Sequence, residues 1–339
     1  MRIIKRQYIF PLFFFFCAFS FFTLSVRAME DPLLYDGILQ DSLPLQPVGL
    51  KQMPWVTLKS GNLRMVFVDN SEMPPNHKKG YNGIAELYHV KQDSNVFVPD
   101  FAGLNLEHIF NGEKPEAFFE PRKDPMYLYQ KSETEVLLYQ KPTTHSKVES
   151  LMEFKAADQD CIDFTFTFIV HDRHYFKHDY AGFFFASYIN QPPDRKIYFK
   201  GIRERGSGSG GAGLIQSYSD KHGDKSTHLA EGDNRKIYFS PEFNIVLANH
   251  FSDYRYAQPY YYGRFRNMAL AYFFRPSDLM RFSQSPDGAG PGNPAWDFYY
   301  ITTDLKEGVK YSFSGRMMYK PFKSDKEIAR EYKKWQRKQ

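Results

Sequence analysis

Glu107 and Asp297 are the two carboxylates whose settings best suit acid–base work. Glu107 lies in Gly103-Leu104-Asn105-Leu106-Glu107-His108-Ile109-Phe110, where an amide, a carboxylate and an imidazole share an apolar frame. Polar groups in such a frame are costly unless they find partners. If the stretch is extended, Asn105, Glu107 and Ile109 project to one face and His108 to the other. Glu120-Pro121-Arg122 follows. An Arg fork there suits a sugar hydroxyl or a uronate carboxylate, and a structural Glu–Arg pair is the plainer reading. Asp297 stands in Pro291-Gly292-Asn293-Pro294-Ala295-Trp296-Asp297, where a turn gives way to a strand.

Imidazoles supply the second set. His222 and His228 fall in Ser217–His228, a polar stretch with Asp220 and Asp224. A His there is a candidate acid or base near neutral pH if the loop folds over a cleft; a solvated loop is the alternative. His171, His174 and His178 have the spacing to hold a metal from a helix. Tyr175, Phe176 and the flanking strands argue for a solvated turn instead. Asp69-Asn70-Ser71-Glu72, His77 and Tyr81-Asn82-Gly83 combine turn chemistry with a candidate contact at Asn82.

The third set is aromatic. Tyr254, Tyr256, Tyr260, Tyr261 and Tyr262 precede Gly263-Arg264-Phe265-Arg266. A sugar ring offers an apolar C–H face and a rim of hydroxyls. Tyr and Trp with Arg, Asn or Asp at the edge meet both demands. Tyr188, Tyr261, Arg264 and Trp296 are therefore candidate contacts, although Tyr also serves ordinary β packing.

Strands must position all of these. Ile162, Phe164, Phe166 and Phe168 alternate with Asp163, Thr165 and Thr167, the period-2 pattern of a strand with one buried face. Tyr311, Phe313, Met317 and Tyr319 repeat it. Further strands are expected at 63–68, 84–90, 134–139, 148–154, 182–189, 197–199, 237–239, 245–248, 268–274 and 296–301, most of them bounded by turn residues. More than a dozen strands exceeds an immunoglobulin-type sandwich. The expectation is an all-β fold, a large antiparallel β-sandwich (a super-sandwich) over residues 29–323. Helix-period segments that would cover a parallel sheet are missing.

Ser324-Asp325-Lys326-Glu327 has the form of a capping box. Ile328, Tyr332 and Trp335 follow at helical spacing, so residues 324–339 are expected to form a short basic amphipathic helix on the sandwich. Asp194-Arg195-Lys196-Ile197-Tyr198-Phe199 is echoed by Asn234-Arg235-Lys236-Ile237-Tyr238-Phe239. Two copies are too few for a repeat architecture. They bracket a Gly-rich insertion near 205–213, which lacks the Lys-Ser/Thr of a phosphate loop and opens no helix.

The ends explain the basic balance. Arg2, Lys5 and Arg6 precede a nearly unbroken apolar run from Tyr8 to Val26, and Val26-Arg27-Ala28 fits a small-x-small cleavage site. Residues 1–28 read as a signal peptide, with an uncleaved anchor as the alternative. Four positive charges lie in that segment, so the rest of the chain carries about +1 in place of +5. The last twenty residues hold eight Lys/Arg and three Asp/Glu, leaving the body acidic. Nucleic acid is thus not an expected partner, nor is stable membrane insertion after cleavage. With 42% hydrophobic residues and only two Cys in 339, neither disorder nor a disulfide scaffold fits. Cys161 should pack as a small apolar residue.

Gly80-Tyr81-Asn82-Gly83-Ile84, Ala102–Phe110, Tyr261-Tyr262-Gly263-Arg264-Phe265-Arg266 and Asn293–Phe298 resemble a family of exported, uncharacterised bacterial proteins. That family is met in planctomycete-like polysaccharide degraders. The resemblance runs from about Leu63 to Tyr332. The strand-rich length is also similar to the galactose-mutarotase-like super-sandwich of sugar epimerases, some glycoside hydrolases and some polysaccharide lyases. That likeness implies a fold and no catalytic residue.

The expected function is an exported (periplasmic or extracellular) carbohydrate-active enzyme acting on an oligo- or polysaccharide. A glycoside hydrolase would use two carboxyls, one protonated and one ionised. Glu107 and Asp297 are the candidates, with His108, His222 and His228 assisting proton transfer. Asn82, Asn105, Glu120, Arg122, Tyr188, Tyr261, Arg264 and Trp296 would hold the sugar. A lyase, with Arg122 neutralising a uronate, and a non-catalytic carbohydrate-binding protein are the alternatives. No cofactor motif and no metal site is expected.

Overall fold

The computed structural model describes residues 38–39, 45–204 and 212–339. The expected signal peptide over 1–28 and most of the Gly-rich stretch, 205–211, lie outside them. In chain order the elements are β1 (Ile38–Leu39), β2 (Gln52–Met53), β3 (Trp55–Ser60), β4 (Leu63–Val68), β5 (Gly83–His89), β6 (Asn105–Phe110), α1 (Glu120–Lys123), β7 (Met126–Gln130), β8 (Glu135–Gln140), β9 (Val148–Ala157) and β10 (Cys161–Val170). Then come β11 (Tyr180–Ala186), β12 (Ile197–Arg203), β13 (Gly213–Ser217), β14 (Tyr254–Tyr256), β15 (Tyr260–Phe265), β16 (Met268–Phe274), β17 (Arg281–Ser285), β18 (Ala295–Thr303), β19 (Lys310–Pro321) and α2 (Asp325–Gln336).

Among the described residues the strands form three antiparallel sheets. The largest runs β13-β12-β15-β16-β19-β10-β9-β8-β7-β2, with β1 on β19 and β14 on β12. A second is β17-β18-β11-β6, and a third is β3-β4-β5. The chain is thus an all-β antiparallel sandwich with one short C-terminal helix. The Phe alternation of β10 creates its centre. Phe166 meets Phe183 and Phe185 of β11 at ring centroids of 5.2 Å, and Phe164 stacks on Phe298 of β18 at 6.0 Å. Each ring removed from water contributes about 2 kcal/mol. Asp163 and Thr165 turn the other way, to Arg316 and Ser314 of β19. Cys161 is buried, and burial pushes its thiol up to about 12.

The tail helix follows its sequence signals. The Ser324 hydroxyl accepts the backbone N–H of Glu327 at 3.2 Å. Ile328, Tyr332 and Trp335 are buried against Tyr260, Phe273 and Met318.

Two expected strands are absent. Residues 245–248 contain a 3₁₀ turn, Val246–Ala248, and 237–239 are irregular. The echo explains the second case. Ile197-Tyr198-Phe199 becomes β12 because β13 and β15 pair with it on both sides. Ile237-Tyr238-Phe239 has no such neighbours; Ile237 and Phe239 pack over the outer face of the second sheet, and Tyr238 is exposed. Strand propensity is overridden where no partner offers a ladder.

Candidate active site

The outer face of the β17-β18-β11-β6 sheet carries the candidate site. On β18, Trp296 and Phe298 enter the main core, so Asp297 between them faces outward. On β6 the alternation is broken. His108 stands opposite Phe184 of β11 and Leu106 opposite Phe185, leaving Glu107 as the extra residue of a β-bulge. Leu106 and Ile109 both enter the core. Glu107 and His108, the two residues between them, therefore share the outer face. The expectation of opposite faces fails because a bulge re-aims a side chain and leaves no trace in an alternation count.

Glu107, His108, Tyr188, His222 and Asp297 line one cleft of about 160 Å³. Its remaining wall is mostly apolar, from Phe118 and Phe119, the 245–247 turn and Ala295. Tyr188 arrives from the end of β11, bridged to Ala295. His222 comes from the polar loop after β13, its Nδ1 at 3.0 Å from the Ser285 hydroxyl.

Asp297 is fully buried. Its Oδ1 accepts the backbone N–H of Ser187 at 3.2 Å, while its Oδ2 has no protein partner. Burial first, and then the charge of Glu107, holds its pKa well above the usual carboxylate range; the Ser187 bond opposes this only in part. A carboxyl so placed favours its protonated form.

Glu107 is held differently. Its Oε1 accepts Arg122 Nη1 at 3.2 Å and the Tyr188 hydroxyl. Its Oε2 lies 3.9 Å from His108 Nε2. The Arg122 guanidinium also donates from Nε to the Gly80 carbonyl at 3.2 Å. Its faces stack on Tyr81, 3.8 Å from the ring centroid, and on Phe119 at 4.4 Å. Tyr188 keeps its proton, since burial and the neighbouring Glu107 raise its pKa well above that of a free phenol.

His108 is a neutral imidazole of fixed tautomer. Its Nδ1 meets the Phe118 carbonyl, which can only accept, so Nδ1 carries the hydrogen. Burial lowers its pKa, outweighing the opposing charge of Glu107. Nε2 is left with a lone pair beside Glu107.

The other candidates lie elsewhere or act at one remove. Asn82 and Asn105 are joined by a 2.9 Å hydrogen bond, and the Asn82 amide bonds both the N–H and the C=O of Leu106. They splint β6 beside Glu107. Glu120 is buried and accepts the N–H groups of His145 and Ser146, tying down a loop. His228 is fully buried, between the Ser217 hydroxyl at 2.8 Å and the Tyr254 carbonyl at 3.2 Å. Tyr261 stacks on Tyr272 inside the core. The ring of Trp296 covers Gly263, where a Cβ would lie 2.2 Å from it, so it has no face for a sugar. Arg264 sits between Tyr198 and Phe322 and pairs with Asp325, which docks α2. His171, His174 and His178 each pair with a different carboxylate, Glu149, Asp172 and Glu113.

Sequence reasoning missed Phe118, Phe119, Ser187, Asn244 and Ser285. Only the Phe pair carried a signal, an apolar doublet directly before Glu120-Pro121-Arg122.

No protein family and no curated protein matches the chain. Solved structures give distant likenesses. A protein of Escherichia coli K12 assigned as an aldose 1-epimerase has a TM-score of 0.45 at 9% identity, over 80% of this chain and 100% of that one. The heparan sulfate lyase HepC of Pedobacter heparinus scores 0.42 at 10% identity, over 82% of this chain and 37% of that one. A 4-alpha-glucanotransferase of Thermococcus litoralis scores 0.35 at 10%, over 79% and 37%. At these scores the likenesses carry no argument about what this chain does.

Proposed function

We propose that the chain is an exported carbohydrate-active enzyme, a glycoside hydrolase with Asp297 as general acid and Glu107 as the second carboxylate. The observation that supports this reading is the contrast between the two groups in one cleft. Asp297 keeps a proton and has an unpartnered oxygen; Glu107 is held by a guanidinium and a phenol. Two carboxyls whose surroundings push them apart in proton affinity mark an acid and its partner.

In this reading Asp297 Oδ2 gives its proton to the glycosidic oxygen as the C–O bond breaks. Glu107 Oε2 faces the positive charge that develops on the ring, and either attacks the anomeric carbon or takes the proton of an attacking water. The neutral Nε2 of His108 orients that water or the 2-hydroxyl. Phe118 and Phe119 give the ring an apolar wall. Arg122 and Tyr188 fix Glu107, and Tyr188 also lines the cleft.

The lyase alternative assigned Arg122 to a substrate uronate. That role is disfavoured, because Arg122 is engaged by Glu107, Gly80 and two aromatic rings. The test is turnover of aryl glycosides and natural oligosaccharides by residues 29–339, following reducing ends and ultraviolet absorbance of unsaturated products together. Reducing ends lost in both Asp297→Asn and Glu107→Gln support the reading. Unsaturated products overturn it in favour of a lyase. Binding without turnover overturns it in favour of a binding protein.

A further inference from the structure

The cleft has a charge signature that narrows its ligand, and this inference rests on the carbohydrate reading above. Among the described residues, no Lys or Arg lines it. The guanidinium that pairs with Glu107, Arg122, is committed on two edges and both faces. Burial disfavours a charge on His108, and the other imidazole of the cleft, His222, meets the Ser285 hydroxyl at 3.0 Å, so no fixed positive charge faces the space. What the cleft does present is a carboxylate at Glu107 and a protonated carboxyl at Asp297.

An anionic group brought into this space would lose its water and meet no opposite charge. A buried charge without a partner is among the most costly arrangements in a protein. A hydroxymethyl or hydroxyl group carries no such cost. It can donate to Glu107 Oε2 or His108 Nε2, or accept from Asp297.

Size adds a second limit. The cleft's volume is about 160 Å³. Pockets that enclose drug-sized ligands, of disaccharide bulk, run from about 300 to 1,000 Å³.

We infer that the cleft takes a single uncharged sugar ring, the terminal unit of a chain, and rejects the corresponding uronate or sulfated ring. The inference also sets the reaction class. Elimination from a uronate proceeds only as the carboxylate's charge is neutralised while the C5 proton leaves, and no Lys or Arg lines this cleft to do so. Hydrolysis of a neutral terminal unit needs only the two carboxyls.

The test is a calorimetric and NMR binding series on the full mature chain at pH 8, where a free imidazole is neutral. Matched methyl glycosides that differ only at C6, as hexoside, uronide and 6-sulfate, are compared for gluco, galacto and manno configurations. The expected result is binding of one hexoside, with its uronide and sulfate at least about 100-fold weaker, the size of effect set by an unpaired buried charge. In the matching disaccharide, saturation transfer should fall on the non-reducing ring alone.

Asn244→Arg supplies a gain-of-function arm. Asn244 is an exposed residue of the cleft wall, so the substitution adds a cation without opening the core. It should narrow the hexoside–uronide gap at least about tenfold. Equal or tighter uronide binding by the unmodified chain would overturn the inference and leave the carbohydrate reading standing. So would equal transfer to both rings. Absence of binding by every sugar, to the unmodified chain and to Asp297→Asn alike, would overturn both.

Discussion

Asp297 and Glu107 lie on the two strands that flank β11, and the charge of Glu107 adds to burial in raising the proton affinity of Asp297. Arg122 pairs with Glu107 beside it at 3.2 Å. This arrangement links the proton affinity of Asp297 to stability, because burial favours a proton that the unfolded chain releases more readily.

Asp297→Asn should lower turnover by about 10²–10⁴, the usual worth of a positioned proton donor. Its effect on stability has a defined sign. The folded chain holds a proton that the unfolded chain releases above about pH 3.9. The stability linked to Asp297 is thus full below that value and is lost as pH rises toward the higher folded value. The substituted chain lacks this loss. Its melting temperature relative to the original should rise as pH is raised above about 4. A difference that does not change with pH would show that Asp297 is ionised in the folded chain.

Arg122→Lys should fail to replace Arg122. An ammonium is a point charge and cannot bond Gly80 and Glu107 from one plane while stacking on Tyr81 and Phe119. Both partners are largely buried, so weakening the pair should cost about 3 kcal/mol of stability. Turnover should fall at least about tenfold as Glu107 loses its fixed position. Denaturant unfolding and kcat, measured together, check this. A fully active Arg122→Lys chain would show that Arg122 does not position Glu107.

The expected fold was legible where one physical signal decided the outcome. The alternation of β10 and β19, the exact bounds of β4 and β16 and the cap of α2 all follow from side-chain period or local bonding. The site was legible in its parts but not in its geometry. Glu107, His108, Tyr188, His222 and Asp297 were each marked by type, and the sheet order brings them together. The bulge at Glu107 was not readable, because it depends on pairing with β11. Nor was the fate of Trp296 and Tyr261. An aromatic residue at a strand start suits a platform or a core equally, and only the approach of Gly263 decides.

His228 was expected to assist catalysis, and its position predicts a different phenotype. Burial pushes its pKa down to about 4, against an ordinary value of 6.5. Protonation then favours the unfolded chain. Its contribution to stability is present above pH 6.5 and is lost as pH falls through 4. A span of about 2.5 pH units corresponds to about 3 kcal/mol. His228→Gln keeps a polar partner for Ser217 without titrating. It should flatten the acid side of the stability profile, measured by urea unfolding at pH 7 and 4.5. Turnover should stay within about threefold of the original, since the ring lies outside the cleft. A large loss of kcat with unchanged stability would return His228 to the catalytic set.

Gly263 and Trp296 provide the sharpest test of packing against sugar contact. A Cβ on Gly263 would lie 2.2 Å from the Trp296 ring, so Gly263→Ala must displace a fully buried side chain. Overpacking of this kind costs about 1–3 kcal/mol. Trp296→Phe removes ring volume at that contact and also the bond from indole Nε1 to the Arg195 carbonyl, so it too should destabilise. Together the two changes should cost less than their sum, because the smaller ring leaves room for the methyl group. A double-mutant cycle on unfolding free energy should show coupling of about 1 kcal/mol or more, in the range found for residues in contact. KM should follow none of these changes if Trp296 serves the core alone. A KM that rises in Trp296→Phe with stability intact would restore it as a sugar contact and require the ring to turn toward the cleft.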